Sequence, residues 1–319
     1  TQIDVLNQWL LDEQCEKMQE RYPLTEADVR RMAAVSDNPI PVAKELLERF
    51  SPHWFVAFRD VTSAVVLRTS VFSILPIVGV GHTAPLVFFN SMDARGVCVF
   101  LGCMNSLALD YCARQSVGGS HLTYSYLRQF PVLVPSHLSE SAPWNERLSL
   151  EQWIVPRVME LSYTAWDLQT FGADCGYDGP PFQWDEERRH IIRCELDAAF
   201  FHIYLGDEKE WNEKGSKELW SYFPTPRHAT EYILDTFRIL RERDEAAYGT
   251  YRTKETILEI YDGMAESVRS ATQYKTRLDP PPGPSAVQYG GFLPPAEYTD
   301  GQTKPSMWPW YLHPLKARK

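Results

Sequence analysis

Between Arg59 and Arg128 the chain carries side chains able to hydrogen-bond the edges of nucleic-acid bases. Arg makes a forked pair with guanine, and Gln or Asn with adenine, when a loop or strand carries them into the major groove. The candidates are Arg59, Arg68, Thr69, His82, Arg95, Arg114, Gln115, Ser120, His121 and Arg128, with Thr83 and Asn90 beside them. Gly79, Gly81 and the Gly118-Gly119 pair would allow tight loops and a close backbone approach. Each candidate also has a structural alternative. Arg59 and Arg68 could pair with Asp60 or Asp110, and the double glycine could end a helix at Ala113–Arg114.

Other chemistries are more weakly represented. Cys98, Cys103 and Cys112, taken with His82 or His121, have spacings of five and nine that fit no tetrahedral zinc hairpin, so they read as core thiols. Asp207-Glu208-Lys209 has the spacing of a nuclease carboxylate–lysine pair but falls in a charged loop behind a helix. There is no G-x-S-x-G elbow, and the eight histidines are scattered. The site expectation is therefore recognition, with no catalytic residue and no metal.

The elements that must position these residues follow from pattern. Trp54–Pro135 is rich in Val, Phe and Leu and broken by Gly and Pro; its short apolar runs are strand signals, with one helix near Met104–Ala113. Residues 1–50 read as helices interrupted at Asn38-Pro39 and Pro41. Ser149-Leu-Glu-Gln152 matches a capping box. Pro156 is expected to interrupt and start a new helix running towards Thr170, with Gly172–Trp184 irregular. Asp185–Leu205 is a strong amphipathic helix, Thr225-Pro226 starts another, and the last lies near Lys254–Arg269. From Asp279 the chain is Pro-rich, with Trp308, Trp310 and Tyr311 expected to dock on the body.

Five ordered motifs carry a family resemblance: R-D-V-T-S at Arg59, R-T before a strand ending in Pro76, N-S-L-A-L-D-Y at Asn105, R-Q-S-V-G-G at Arg114, and Q-F-P-V at Gln129. Together with the stretches from Tyr163 and Tyr232, they resemble the target-recognition and C-terminal helical region of type IIG and type ISP restriction-modification enzymes, which belong to the N6-adenine DNA methyltransferases. Where that family carries polar residues between the two Arg strands, this chain has Val65, Val66 and Leu67. The resemblance implies an α+β fold: an N-terminal helical linker (1–50), a mixed-sheet target-recognition domain (51–145), a helical spacer bundle (146–278) and a Pro-rich tail (279–319). It implies double-stranded DNA as partner, together with an upstream methyltransferase domain of the same parent chain that would use S-adenosylmethionine. It also implies specificity positions that vary while the shared motifs act as scaffold. The (N/D)-P-P-(Y/F) loop that would hold a flipped base is absent; Gly179-Pro180-Pro181-Phe182 is its nearest echo and reads as a tight turn. No Gly-rich cofactor loop occurs, so no cofactor is expected in this chain. A protein-interaction module of a phage-defence complex is the alternative reading.

Charge bounds these readings. The net charge is −10, which argues against nucleic acid unless the charge is unevenly placed. Residues 51–135 carry five Arg against three Asp, so the acidic excess lies outside the proposed recognition unit. Unpaired, scattered cysteines fit a reducing cytoplasm, and no apolar run is long enough for a membrane span. The opening TQIDVLNQW shows no signal pattern, and with no Met it points to a larger parent chain.

Overall fold

The computed structural model describes residues 53–89 and 92–283, together with Ala27. The expected N-terminal helices, the docking tail aromatics and Asn90 lie outside the described residues.

From residue 53 the described chain begins with three strands, β1 (Trp54–Phe58), β2 (Phe72–Pro76) and β3 (Leu86–Val87), in the order β2-β1-β3. The order strands-then-helices expected of an α+β chain is present, but both pairings in this sheet are antiparallel where a mixed sheet was expected. Phe58 sits directly opposite Phe72, with the rings stacked at 5.3 Å. Such cross-strand aromatic pairs stabilise a sheet locally. Phe72 also meets Phe100 edge-on at 5.7 Å, which fixes the sheet onto the first helix.

That helix, α1 (Ala94–Met104), occupies an apolar run that has the composition of a strand. Asp93 starts it by accepting the Gly96 N–H, and nine of its eleven residues are buried, so no polar face marks it as helical. A helix buried all round cannot be told from a buried strand by periodicity. Gly102 faces Phe200 and Val158, where an added Cβ would stand 3.2 Å from each, so the glycine sets how closely α1 can pack. Asn105 and Ser106 break the path, and Ser106 caps α2 (Leu107–Ser116). No single helix among the described residues is long and apolar enough to cross a membrane.

A short helix, α3 (Tyr124–Leu127), and a hairpin, β4 (Ser141–Ala142) with β5 (Asn145–Ser149), lead into α4 (Leu150–Ser162). The Q-F-P-V motif at Gln129 is irregular and forms no strand. The capping box at Ser149 and Gln152 is present, but α4 runs straight through Pro156. An interior proline costs a backbone bond. Here Trp153, Ile154, Val155, Val158 and Met159 are all buried, and that packing outweighs the lost bond. The helix ends at Ser162, short of Thr170, and α5 (Gln169–Asp174) follows.

The long α6 (Glu186–Leu205), capped by Asp185, is the spine against which α2, α4 and the last helix pack. The stretch read as a charged loop after it folds into α7 (Glu208–Lys214) and α8 (Lys217–Tyr222), because Asp207 and Ser216 each cap a first turn. Thr225 caps α9 (Pro226–Asp235), α10 spans Arg238–Tyr248, and α11 spans Arg252–Ser270. One apolar core extends from Val56 to Leu278, passing without a gap across the 145/146 boundary. Trp144, fully buried beside that boundary, packs edge-on at 5.1 Å against Trp153.

Candidate nucleic-acid interface

The motif residues converge on one buried carboxylate. Asp110, on α2, is fully buried and accepts the Ser70 N–H at 2.5 Å and the Arg114 Nε–H at 3.2 Å, with Arg68 Nε 3.8 Å away. Arg114 also donates to the Val66 and Leu67 carbonyls at 2.7 and 3.0 Å and lies over the Phe237 ring. Arg68 donates to the Asn105 carbonyl. Asn105 in turn meets both backbone polar groups of Phe72, at 2.9 and 3.0 Å, standing in for a missing strand. Thr69 is buried and donates to the Ser63 carbonyl, while Thr62 donates to the Thr69 carbonyl and Arg59 to the Arg68 carbonyl. These bonds tie loop 59–70 to the junction of α1 and α2. Of the ten candidates, Arg68, Thr69 and Arg114 are thus internal ties that are not aimed at a groove, and Arg59, although exposed, is committed to the same loop.

Arg95 is also committed, to Glu151 at 2.5 Å and to the Cys175 carbonyl at 3.3 Å. The rest face solvent. The extension of β1 is bonded on one side first by residues 83–85, through Phe58 N–H to Pro85 O and Asp60 N–H to Thr83 O. Residues 120–122 then take over, through Leu122 N–H to Asp60 O and Thr62 N–H to Ser120 O. This brings His82, Ser120 and His121 to neighbouring loops. His121 meets Asp60 at 2.9 Å, and Tyr124 donates to the Leu86 carbonyl at 3.0 Å. Gln115 and Arg128 are exposed, and Arg128 has no ion-pair partner among the described residues.

The charge pattern of these loops is one-sided in a way that segment totals hide. Neither 61–92 nor 111–139 contains a single Asp or Glu, although the whole chain holds 42. Of the acids at the margins, Asp60 meets His121, Asp93 caps α1 and Asp110 is inside, while Glu140 is exposed with His137 3.9 Å away. The same surface exposes Val61, Val65, Ile77, Phe88, Tyr124, Val132 and Val134. These two stretches therefore bring together loops with no carboxylate of their own, lightly basic and partly apolar, with Asp60 held against His121 at their edge.

Comparison with known proteins found no matching family model, curated protein or solved structure. The chemistry must be argued from the residues themselves.

Among the described residues no three His, Cys, Asp or Glu side chains come together as metal ligands. In the Gly179–Phe182 turn, Phe182 is buried and stacks on Tyr177 at 4.9 Å, while the Tyr177 hydroxyl donates to the Pro180 carbonyl. Gly179 and Pro180 are half-buried and Pro181 and Phe182 are buried, so the aromatic ring of this turn belongs to the core. Asp207-Glu208-Lys209 is the first turn of α7, with Asp207 committed to the Glu210 N–H. Cys98 and Cys175, unrelated by spacing, lie with their sulfurs 3.6 Å apart.

Two buried groups behind the interface titrate abnormally. Burial pushes the Asp197 carboxyl up to about 6, opposed by Arg68 and by the Leu107 N–H it accepts at 2.6 Å. Burial holds the His202 imidazole down at about 4, opposed by its bond to the Tyr261 carbonyl. Between about pH 4 and 6 Asp197 binds its proton in the fold and not in the unfolded chain, so acidification through this window adds stability. His202 does the reverse between about 6.5 and 4, where the unfolded chain takes the proton first. The two slopes oppose each other. Asp197→Asn keeps an acceptor for Leu107 and removes one slope. The variant is expected to be more stable than the wild type at pH 8, by on the order of 2 kcal/mol, and to lose stability more steeply on acidification from pH 6.5 to 4.5. Parallel profiles in urea titrations across this range would contradict the assignment.

Proposed function

We propose that this chain is the DNA sequence-recognition part of a restriction-modification type adenine-N6 methyltransferase, without chemistry of its own. In this reading it acts in the cytoplasm beside a methyltransferase domain of a longer parent chain, which would bring S-adenosylmethionine. The observation that carries the reading is that loops 77–89 and 117–134, brought side by side along β1, contain no Asp or Glu in a chain of net charge −10. Phosphate repels carboxylates, so a surface that approaches DNA must exclude them. His82, Ser120, His121, Gln115 and Arg128 would meet the duplex, and the exposed Val and Tyr side chains offer the apolar contact that a thymine methyl accepts. Arg59, Arg68, Thr69 and Arg114 would shape the loops from behind, and Arg95 would brace α1 against α4.

The exposed apolar residues of the same face favour a second reading, a protein-docking surface of a phage-defence complex. Salt separates the two. Fluorescence-anisotropy titration of a labelled duplex is expected to give an affinity that falls log-linearly with salt. Arg128→Ala should weaken binding to all sequences alike and reduce the slope by about 1. Binding indifferent to salt, or an Arg128→Ala variant that binds like the wild type, would favour the protein-docking surface.

A further inference from the structure

A second site lies away from the loops, in a cavity of about 520 Å³ between β2, α1, α4 and α6. Arg189, Arg193, Leu196 and Asp197 line it from one face of α6, eight residue steps or about 12 Å of helix. The facing walls bring apolar Phe72, Leu101 and Val158 together with polar Arg68, Ser70 and Asn105, of which Arg68 and Ser70 are tied to Asp110 and Asn105 to the Phe72 backbone.

The two arginines are the unexplained feature. Arg189 is only 8% exposed, yet its Nε and Nη1 have no hydrogen-bond partner, and only Nη2 is used, donating to the Leu161 carbonyl at 3.0 Å. Leaving buried donors unmatched is costly, and more so on a charged group. Arg193, one turn along, is exposed and has no partner among the described residues. The nearby carboxylates are engaged elsewhere: Glu160 with Arg188, and Glu186 with the Trp184 indole N–H at 2.7 Å. Trp184 lies over the Arg189 guanidinium at 3.6 Å and is itself 57% exposed, a cover standing over the orphaned donors.

We propose that this cavity binds a phosphomonoester with a flat or apolar body. Two guanidiniums that form no ion pair among the described residues are matched by a phosphate, which carries close to two negative charges near neutral pH, whereas a carboxylate balances one. The phosphate sits at the Arg189–Arg193 end, beneath a displaced Trp184. Asp197, at the far end, repels an anion and so fixes the orientation. The body lies along Phe72 and Leu196, in a volume typical of small-molecule sites.

The test uses the intact chain and calorimetric titration with AMP, adenosine and inorganic phosphate as probes. AMP is expected to bind at least tenfold more tightly than adenosine, which lacks the anion, and than phosphate, which lacks the body. Arg193→Ala should weaken AMP at least tenfold without moving the melting temperature of the free protein, because Arg193 holds nothing in place. Trp184→Ala should change AMP affinity while leaving the fold intact. A short 5′-phosphorylated oligonucleotide that competes with AMP would place the natural phosphate on a strand end, and failure to compete would place it on a free metabolite. Equal binding of AMP and adenosine, no binding of any probe, or full AMP affinity in Arg193→Ala would overturn the proposal. The result is independent of DNA recognition, since AMP can bind whether or not a duplex does.

Discussion

Replacing Asp110 by Ala is expected to destabilise the protein by about 3–5 kcal/mol, the cost of removing one partner from a buried charge cluster. The carboxylate has no exposed surface and serves the Ser70 N–H and the Arg114 guanidinium directly, with Arg68 close by. Without it, Arg114, whose side chain is only 10% exposed, keeps a positive charge next to apolar Phe237 with no counter-ion. Since whole domains are stable by only about 5–15 kcal/mol, much of the margin would go. Urea titration should show a fall in midpoint with little change in slope. Amide exchange should rise first in residues 62–70, which Arg114 and Asp110 hold through the Val66 and Leu67 carbonyls and the Ser70 N–H. A loss below 1 kcal/mol would show that the motif residues are not the structural tie described above.

Glu195→Ala should cost a similar amount, again about 3–5 kcal/mol. Glu195 is fully buried on α6 and pairs with Arg157 of α4 at 2.8 Å. Its other oxygen accepts the Tyr274 hydroxyl, the Thr276 hydroxyl and the Arg277 N–H, at 3.1, 2.7 and 2.8 Å. One side chain therefore fastens α4, α6 and the segment after α11. Burial lowers the pKa of Arg157, and Glu195 is the largest influence opposing that shift. A buried pair replaced by apolar residues of similar size is often tolerated, while a broken pair is not. The double variant Arg157→Met/Glu195→Met should accordingly recover part of the stability lost in either single variant. Additive losses in that cycle would contradict a direct coupling.

Much of the helical half is legible in the sequence because its starts are chemical. Asp185, Thr225-Pro226 and the Ser149–Gln152 box each cap a helix where capping chemistry says they should. Elsewhere tertiary packing overrides the local signal. Pro156 reads as a break, but its neighbours are buried on several sides, and α1 hides because it has no polar face. Asp207 and Ser216 carried cap signals that charge density obscured.

The site is less legible, for a reason that Arg68 and Arg114 illustrate. An arginine able to read guanine and one that ties a loop look alike until the distant carboxylate is placed, and Asp110 lies about forty residues from the loop it holds. Arg189 and Arg193 were hidden differently. They fall on an ordinary charged stretch of an amphipathic helix, and only the unmatched guanidinium donors of Arg189 and the lack of an ion pair at either residue among the described residues set them apart. The acid-free stretches 61–92 and 111–139 were visible in the sequence all along. They gain meaning only once the backbone brings the two together along β1.

The most direct test of DNA recognition is repeated selection of duplexes from a randomised pool by the intact chain at low salt. The account predicts enrichment of one short motif by the wild type, with its information relaxed at single positions in His82→Ala and Ser120→Ala variants of unchanged stability. Failure of a folded wild-type protein to enrich any motif, with no duplex bound above background, would contradict it.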